Sequence, residues 1–231
     1  MTDVARIEVL GREVTLPVEV RTARSAAATF LVDHEAATRL MAGTGLEPKR
    51  LPGGRAVCII AVVQYLDNDL GPYNEVAFSL AVGATADAPA GAYIHQLPVD
   101  GEFTCAAGRG IWGFPKWLAD FDVRIDHRRA HCRLSQDGEL VLDLTIGTRV
   151  LPLPSKPMEM SAYAHLDGTT RRTPFTNAAT AVRGGPLGAR LLLGERHPMA
   201  RELRSLGLPK RAVFSSVIGN MAATFGAATT Q

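Results

Sequence analysis

Residues 120–146 read "DFDVRIDHRRAHCRLSQDGELVLDLTI". Apolar side chains recur at every second position, first at Phe121, Val123 and Ile125, then at Leu140, Leu142, Leu144 and Ile146. Successive side chains on a strand point to opposite faces, so this period marks half-buried strands rather than helix. Asp137-Gly138 separates two such runs and suits the tight turn of a hairpin. The stretch therefore predicts an antiparallel meander with one wet face.

Working outward, "AVCIIAVVQYL" (56–66) is compact and β-branched, the mark of a buried strand. "EVAFSLAVG" (75–83) and "AYIHQLPV" (92–99) add further strands between Gly-, Pro- and Asp-rich turns. Residues 55–146 are thus expected to form most of one antiparallel sheet or cone. Helices are few. "DHEAATRLMAG" (33–43) opens on the capping residue Asp33, and "HPMARELRSLG" (197–207) has Pro198 in its first turn and Gly207 after its end. In the second helix Met199, Leu203 and Leu206 make a stripe suited to packing on the sheet. Segment 147–196, rich in Pro, Gly and Arg, is expected to be partly loop. The fold class is mainly β (α+β), an antiparallel sheet- or barrel-centred fold with a few covering helices, in a single domain spanning residues 1–231.

Composition narrows the function. A hydrophobic content of 46% with 21% charged residues is ordinary for a globular chain, and a net charge of +2 leaves no basic footprint for nucleic acid. The longest apolar run, "AVCIIAVV" (56–63), is far too short to span a bilayer. The N-terminal stretch lacks the apolar core of a signal peptide. Cys58, Cys105 and Cys132 form no CxxC pair, so a reducing, cytoplasmic setting is expected. His127 and His131 lie four apart in "HRRAH" but read as turn residues of a hairpin, and no Gly-rich nucleotide loop in a strand–loop–helix setting occurs, so no metal and no cofactor is expected.

One residue stands out. Of 25 basic residues only four are lysines, and Lys116 alone sits among large apolar side chains, in "GRGIWGFPKWL" (108–118). Arginine stays charged in proteins, whereas a desolvated lysine can lose its proton and act as a nucleophile. Pro115 fixes the chain just before it. Lys116 is expected to be buried against Trp112, Phe114 or Trp117 and largely neutral near pH 7. Glu75, opening an apolar strand after a Gly-Pro turn in "LGPYNEVAF", is a candidate proton carrier. Arg24 precedes an apolar stretch and is a candidate to bind a substrate carboxylate or orient Glu75. Trp112, Phe114, Trp117, Tyr73 and Gln64 are the expected substrate contacts.

"YNE" before an apolar strand, then "GRGIWGFPK" some forty residues on, then "HPMARELRSLGLPKRAV", resemble the acetoacetate decarboxylase family over roughly residues 20–225. The resemblance implies a homo-oligomeric β-cone with a buried Schiff-base lysine at Lys116, an active-site glutamate at Glu75 and an arginine at Arg24. It further implies a lyase acting on a small-molecule keto acid. The leading reading is decarboxylation of a β-keto acid through a lysine iminium. Aldolase-dehydratase chemistry on pyruvate-like acids, or a binding cone without catalysis, are the alternatives. Trp117 stands where the family pattern has a second lysine, which leaves desolvation as the expected means of lowering the Lys116 pKa.

Overall fold

The computed structural model describes residues 5–86, 88–147 and 151–231. In chain order its elements are β1 (Arg6–Val9), β2 (Arg12–Thr15), β3 (Val18–Asp33), α1 (His34–Leu40), β4 (Arg55–Asn68), β5 (Tyr73–Val82) and β6 (Gly91–Val99). Then follow α2 (Glu102–Ala107), a π-helical turn (Gly108–Trp112), β7 (Lys116–Leu118), β8 (Asp120–Ile125), β9 (Ala130–Gln136) and β10 (Glu139–Ile146). The chain ends with β11 (Leu151–Pro152), β12 (Met158–Leu166), β13 (Thr169–Gly185), β14 (Ala189–Leu193), α3 (Pro198–Ser205), β15 (Phe214–Phe225) and β16 (Thr229–Thr230).

The fold is mainly β. Its principal sheet has the order β13-β12-β6-β5-β4-β3-β15, and pairing of β15 back to β13 closes it into a ring. Closure explains why β4 reads as continuously apolar rather than alternating. Cys58, Ile60 and Val62 point outward into the main core, whereas Ile59, Ala61 and Val63 line a cavity inside the ring. Both faces of this strand are covered.

The outward core is completed by a four-stranded sheet, β14-β10-β9-β8, laid over the ring. Leu134, Leu142 and Leu144 of that sheet share one apolar cluster with Val76, Phe78 and Leu80 of the ring. Asp137 and Gly138 have φ of 51° and 77°, as the expected hairpin turn between β9 and β10 requires. Asp33 caps α1 by accepting a hydrogen bond from the Ala36 amide at 2.8 Å. Met199, Leu203 and Leu206 at α3 are all buried in the main core. No helix of the described residues is long and apolar enough to cross a membrane.

Two expectations are corrected. Residues 55–146 do not share one sheet. After β6 the chain passes through α2 and the π-helical turn, and β8–β10 form the second sheet. Segment 147–196 is loop at 153–157, 186–188 and 194–196, and the rest of its described part is largely strand. Its described part carries β12 and the 17-residue β13, which seal the ring; residues 148–150 lie outside the described set. The strand signal in β13 is faint because "TTRRTPFTNAATAVRGG" has threonines and small residues in place of an apolar run. The sheet is also not wholly antiparallel, because β6 pairs in parallel with both β12 and β7.

Leu203→Ala should lower stability in urea unfolding by about 2–5 kcal/mol, the range for emptying a leucine site in a packed core. Leu192→Ala, on the exposed face of β14, should cost under about 0.5 kcal/mol. Equal costs would contradict the packing of α3 described here.

Candidate active site

The turn that carries Lys116 is built by its glycines. Gly113 has φ of 68° and ends the π-helical turn in the left-handed region, which glycine adopts without penalty. Gly108 is needed for a different reason. Its backbone is ordinary helix, but a Cβ there would lie 2.5 Å from Cδ and 2.7 Å from Cε of Lys116. The lysine stem therefore lies against bare backbone. Arg109 braces the same turn by donating from Nη1 to the Lys116 carbonyl at 3.1 Å.

Strand β7 then places the amine. It pairs with the end of β6 so that Lys116 stands beside Leu97, while Glu75 of β5 stands beside Val99 on the other edge of β6. Both side chains turn into the ring. Lys116 Nζ lies 3.0 Å from Glu75 Oε2, and the two side chains are only 3% and 9% exposed. Nζ also donates to Thr104 Oγ1 at 2.9 Å and sits 4.7 Å from the centre of the Tyr73 ring. Tyr65 donates its hydroxyl to Glu75 Oε1 at 3.2 Å and stacks on Tyr73 with ring centres 4.3 Å apart. Asn74, between Tyr73 and Glu75, donates from its amide nitrogen to Asp100 Oδ2 at 2.6 Å, tying the start of β5 to the end of β6.

Electrostatics corrects the expectation of a neutral amine. Burial pushes the Lys116 pKa down, but the Glu75 carboxylate, with Tyr73, outweighs it and holds the value above the ordinary 10.5. Lys116 therefore rests as ammonium. Since the folded protein binds this proton more tightly than the unfolded chain, the stability contributed by the Lys116 shift is fully present below pH 10.5. It is lost as pH rises through the higher folded value. The Tyr65 hydroxyl is pushed well up, first by burial and then by the adjacent Glu75, so it remains a donor.

The cavity facing Lys116 has a volume of about 250 Å³. Of the expected contacts, Trp112, Phe114 and Tyr73 line it along with Glu75 and Lys116. Three expected residues do not. Trp117 follows Lys116 on a strand and so faces the other way. There it donates from Nε1 to Gln96 Oε1 at 2.9 Å and stacks on His197 at 5.1 Å. Gln64 likewise points out of the ring, between Val63 and Tyr65, which point in, and bonds Asn74 Oδ1 at 3.4 Å. Arg24 is exposed and reaches the Ile125 carbonyl at 3.4 Å, because its neighbour Ser25 takes the inward position on β3. Among the described lining residues Lys116 is the sole cation.

Thr104, Tyr65 and Arg109 were not singled out from the sequence. Thr104 and Tyr65 lie in ordinary apolar contexts, and only the folded register brings them to the amine. Arg109 lies inside the quoted turn, but nothing in its spacing shows that it grips a carbonyl. Among the described residues no group of three His, Cys, Asp or Glu gathers as a metal site would require.

A ring of strands around a buried lysine–glutamate pair, with the lysine on a Gly-aromatic-Pro-Lys turn, is an acetoacetate decarboxylase-like fold. The family model described as Acetoacetate decarboxylase (ADC) matches residues 11–219, and the chain belongs to this family. Among solved structures, it is similar to acetoacetate decarboxylase from Legionella pneumophila, with 19% identity and a TM-score of 0.70 over 93% of this chain and 87% of that one. It is similar as well to the enduracididine biosynthesis enzyme MppR in complex with pyruvate, at 16% identity and a TM-score of 0.66, covering 93% of this chain and 90% of that one. An acetoacetate decarboxylase-like enzyme from Sphingomonas wittichii RW1 matches at 16% identity and a TM-score of 0.66 over 97% of each chain. A comparison with curated proteins finds no match.

Gly108→Ala tests how the amine is placed. Alanine suits the helical backbone at 108, so the fold should persist, with a melting temperature lowered by the overpacking, while the new methyl displaces the lysine stem. Reactivity of Lys116 toward carbonyl compounds should fall at least tenfold. Unaltered reactivity would show that the close approach at Gly108 does not set the position of Lys116.

Proposed function

We propose that the protein is a Schiff-base lyase that decarboxylates a β-keto acid at Lys116. The observation that supports this best is the direct 3.0 Å contact between Lys116 Nζ and Glu75 Oε2, buried in a largely apolar cavity. An ammonium group is not a nucleophile, so the resting ion pair must first become a neutral pair. The proton moves from Lys116 to Glu75 along their hydrogen bond. Entry of a carbonyl compound expels water from the site, and a drier site favours this transfer because it disfavours separated charge.

The free amine attacks the ketone carbon. The resulting carbinolamine takes the proton back from Glu75 as its hydroxyl leaves as water, giving an iminium and restoring the carboxylate. The iminium then accepts the electron pair of the breaking carbon–carboxylate bond, and carbon dioxide departs. The enamine left behind takes a proton from water at carbon, and hydrolysis returns the ketone and the lysine. The sum is one β-keto carboxylate and one proton converted to one ketone and one carbon dioxide. Apolar walls assist the central step, which disperses the charge of the carboxylate.

A pyruvate-like acid would keep its carboxylate through the whole reaction. The iminium keeps the positive charge of Lys116, but the enamine formed from it is neutral, and with Lys116 the sole cation among the described lining residues the retained carboxylate would then lack a partner. This ranks aldolase-dehydratase chemistry below decarboxylation. A single domain across residues 1–231, homo-oligomeric assembly and a cytoplasmic location belong to the same proposal.

Borohydride reduction in the presence of a β-keto acid should leave a stable adduct that mass mapping places on Lys116. Labelling at Lys49, Lys156 or Lys210 would reject the reading. Lys116→Arg should abolish both adduct and turnover, since guanidinium cannot form the iminium. Glu75→Gln should lower turnover by about 10²- to 10⁴-fold, the range for loss of a positioned acid–base group. Unchanged turnover in that variant would remove Glu75 from the mechanism.

A further inference from the structure

The proposed chemistry needs only a ketone and a carboxylate, yet the cavity is built for more. Resting on that proposed chemistry, we infer that the substrate is a β-keto acid with an apolar tail longer than the methyl group of acetoacetate. Three observations carry this.

The first is room. Acetoacetate has seven non-hydrogen atoms, each taking less than a water's share of about 30 Å³. The cavity of about 250 Å³ would be left partly empty around it. An apolar void forfeits dispersion contacts with its lining, so a ligand that fills the space is bound better.

The second is the character of the walls that need not touch the reacting atoms. Lys116, Glu75, Thr104, Tyr65 and Tyr73 gather the polar chemistry in one cluster. Strands β13 and β15 turn large apolar side chains inward instead, namely Phe175, Met221 and Phe225, and Met160 of β12 stands at the exposed rim. Phe175 and Phe225 stack with centres 5.2 Å apart, and Trp112 lies 6.0 Å from Phe225. Such a wall recognises hydrocarbon or an aromatic ring.

The third is charge. With Lys116 as the sole cation among the described lining residues, a second acidic group on the tail would be buried without a partner, at high cost. The tail therefore carries no second acidic group. Met160 and Phe175 also border an adjoining surface groove, so the apolar wall is continuous with the outside.

The test compares acetoacetate, 3-oxohexanoate, 3-oxooctanoate and 3-oxo-3-phenylpropanoate on the wild-type protein. Two quantities are read for each acid: carbon dioxide release as kcat/KM, and the concentration giving half-maximal borohydride trapping at Lys116. Both should improve by about fourfold per added methylene, the value of burying one such group, until the cavity is full. Phe225→Ala should move the optimum to a longer tail, and Met221→Ala provides the same test if that variant does not fold. A flat series, or a preference for acetoacetate, overturns the inference while trapping at Lys116 leaves the iminium reading standing. Trapping that follows tail length without carbon dioxide release upholds the tail and rejects decarboxylation. No adduct from any acid overturns both.

Discussion

The contact between Lys116 and Glu75 is the interaction on which the site depends. Two opposite charges stand 3.0 Å apart where water scarcely reaches them. Desolvating a charge is expensive, and removing one member of such a pair typically costs about 3–5 kcal/mol because the other is left alone. The surrounding fold meets that demand. Thr104 accepts from the ammonium and Tyr65 donates to the carboxylate, so each member has a second hydrogen-bond partner. Proximity matters as much as charge: a proton that must leave Lys116 before attack already has an acceptor in contact.

Strand geometry then explains how a ring of mostly unremarkable residues comes to hold such a pair. Alternation on β4 and β5 sends one set of side chains to the core and the other to the cavity, so Val76 is core while Glu75 and Ala77 are cavity. Placing β7 beside the end of β6 adds one more inward position, and Lys116 fills it. The same rule turns Trp117 to the other face, where it joins Gln96, and Gln96 in turn donates to Glu202 at 3.1 Å. A lysine at 117 would have its stem directed away from the cavity too.

Much of this was legible in the sequence, and the parts that were not share a cause. The Asp137-Gly138 hairpin, the Asp33 cap and the Met199–Leu203–Leu206 stripe are local patterns, and each is present as read. Lys116 and Glu75 were legible because a lone lysine among aromatics and an acid opening an apolar strand are chemically conspicuous. The facing of Arg24, Gln64 and Trp117 was not, because it depends on strand register. On β3 the pairing with β4 shifts around Thr22 and Ala23, just before Arg24, so simple counting cannot fix the face. Nor was the protonation of Lys116 legible. The sequence displays the desolvating neighbours, but not the distance to a carboxylate 41 positions away that reverses their effect. The second sheet was folded into the first for a related reason, since alternation identifies strands without saying which sheet they join.

The central claim is that Lys116 and Glu75 share one proton, held on the amine at rest. With only four lysines in the chain, amine resonances from protein carrying isotope-labelled lysine can be followed individually through an alkaline titration. The account predicts that Lys116 keeps its proton to a higher pH than the exposed Lys49 and Lys156. In Glu75→Gln, where burial is no longer opposed by a carboxylate, Lys116 should instead lose its proton at a lower pH than those two. A Lys116 that titrates with the exposed lysines in the wild-type protein, or that is unmoved by Glu75→Gln, would contradict the account.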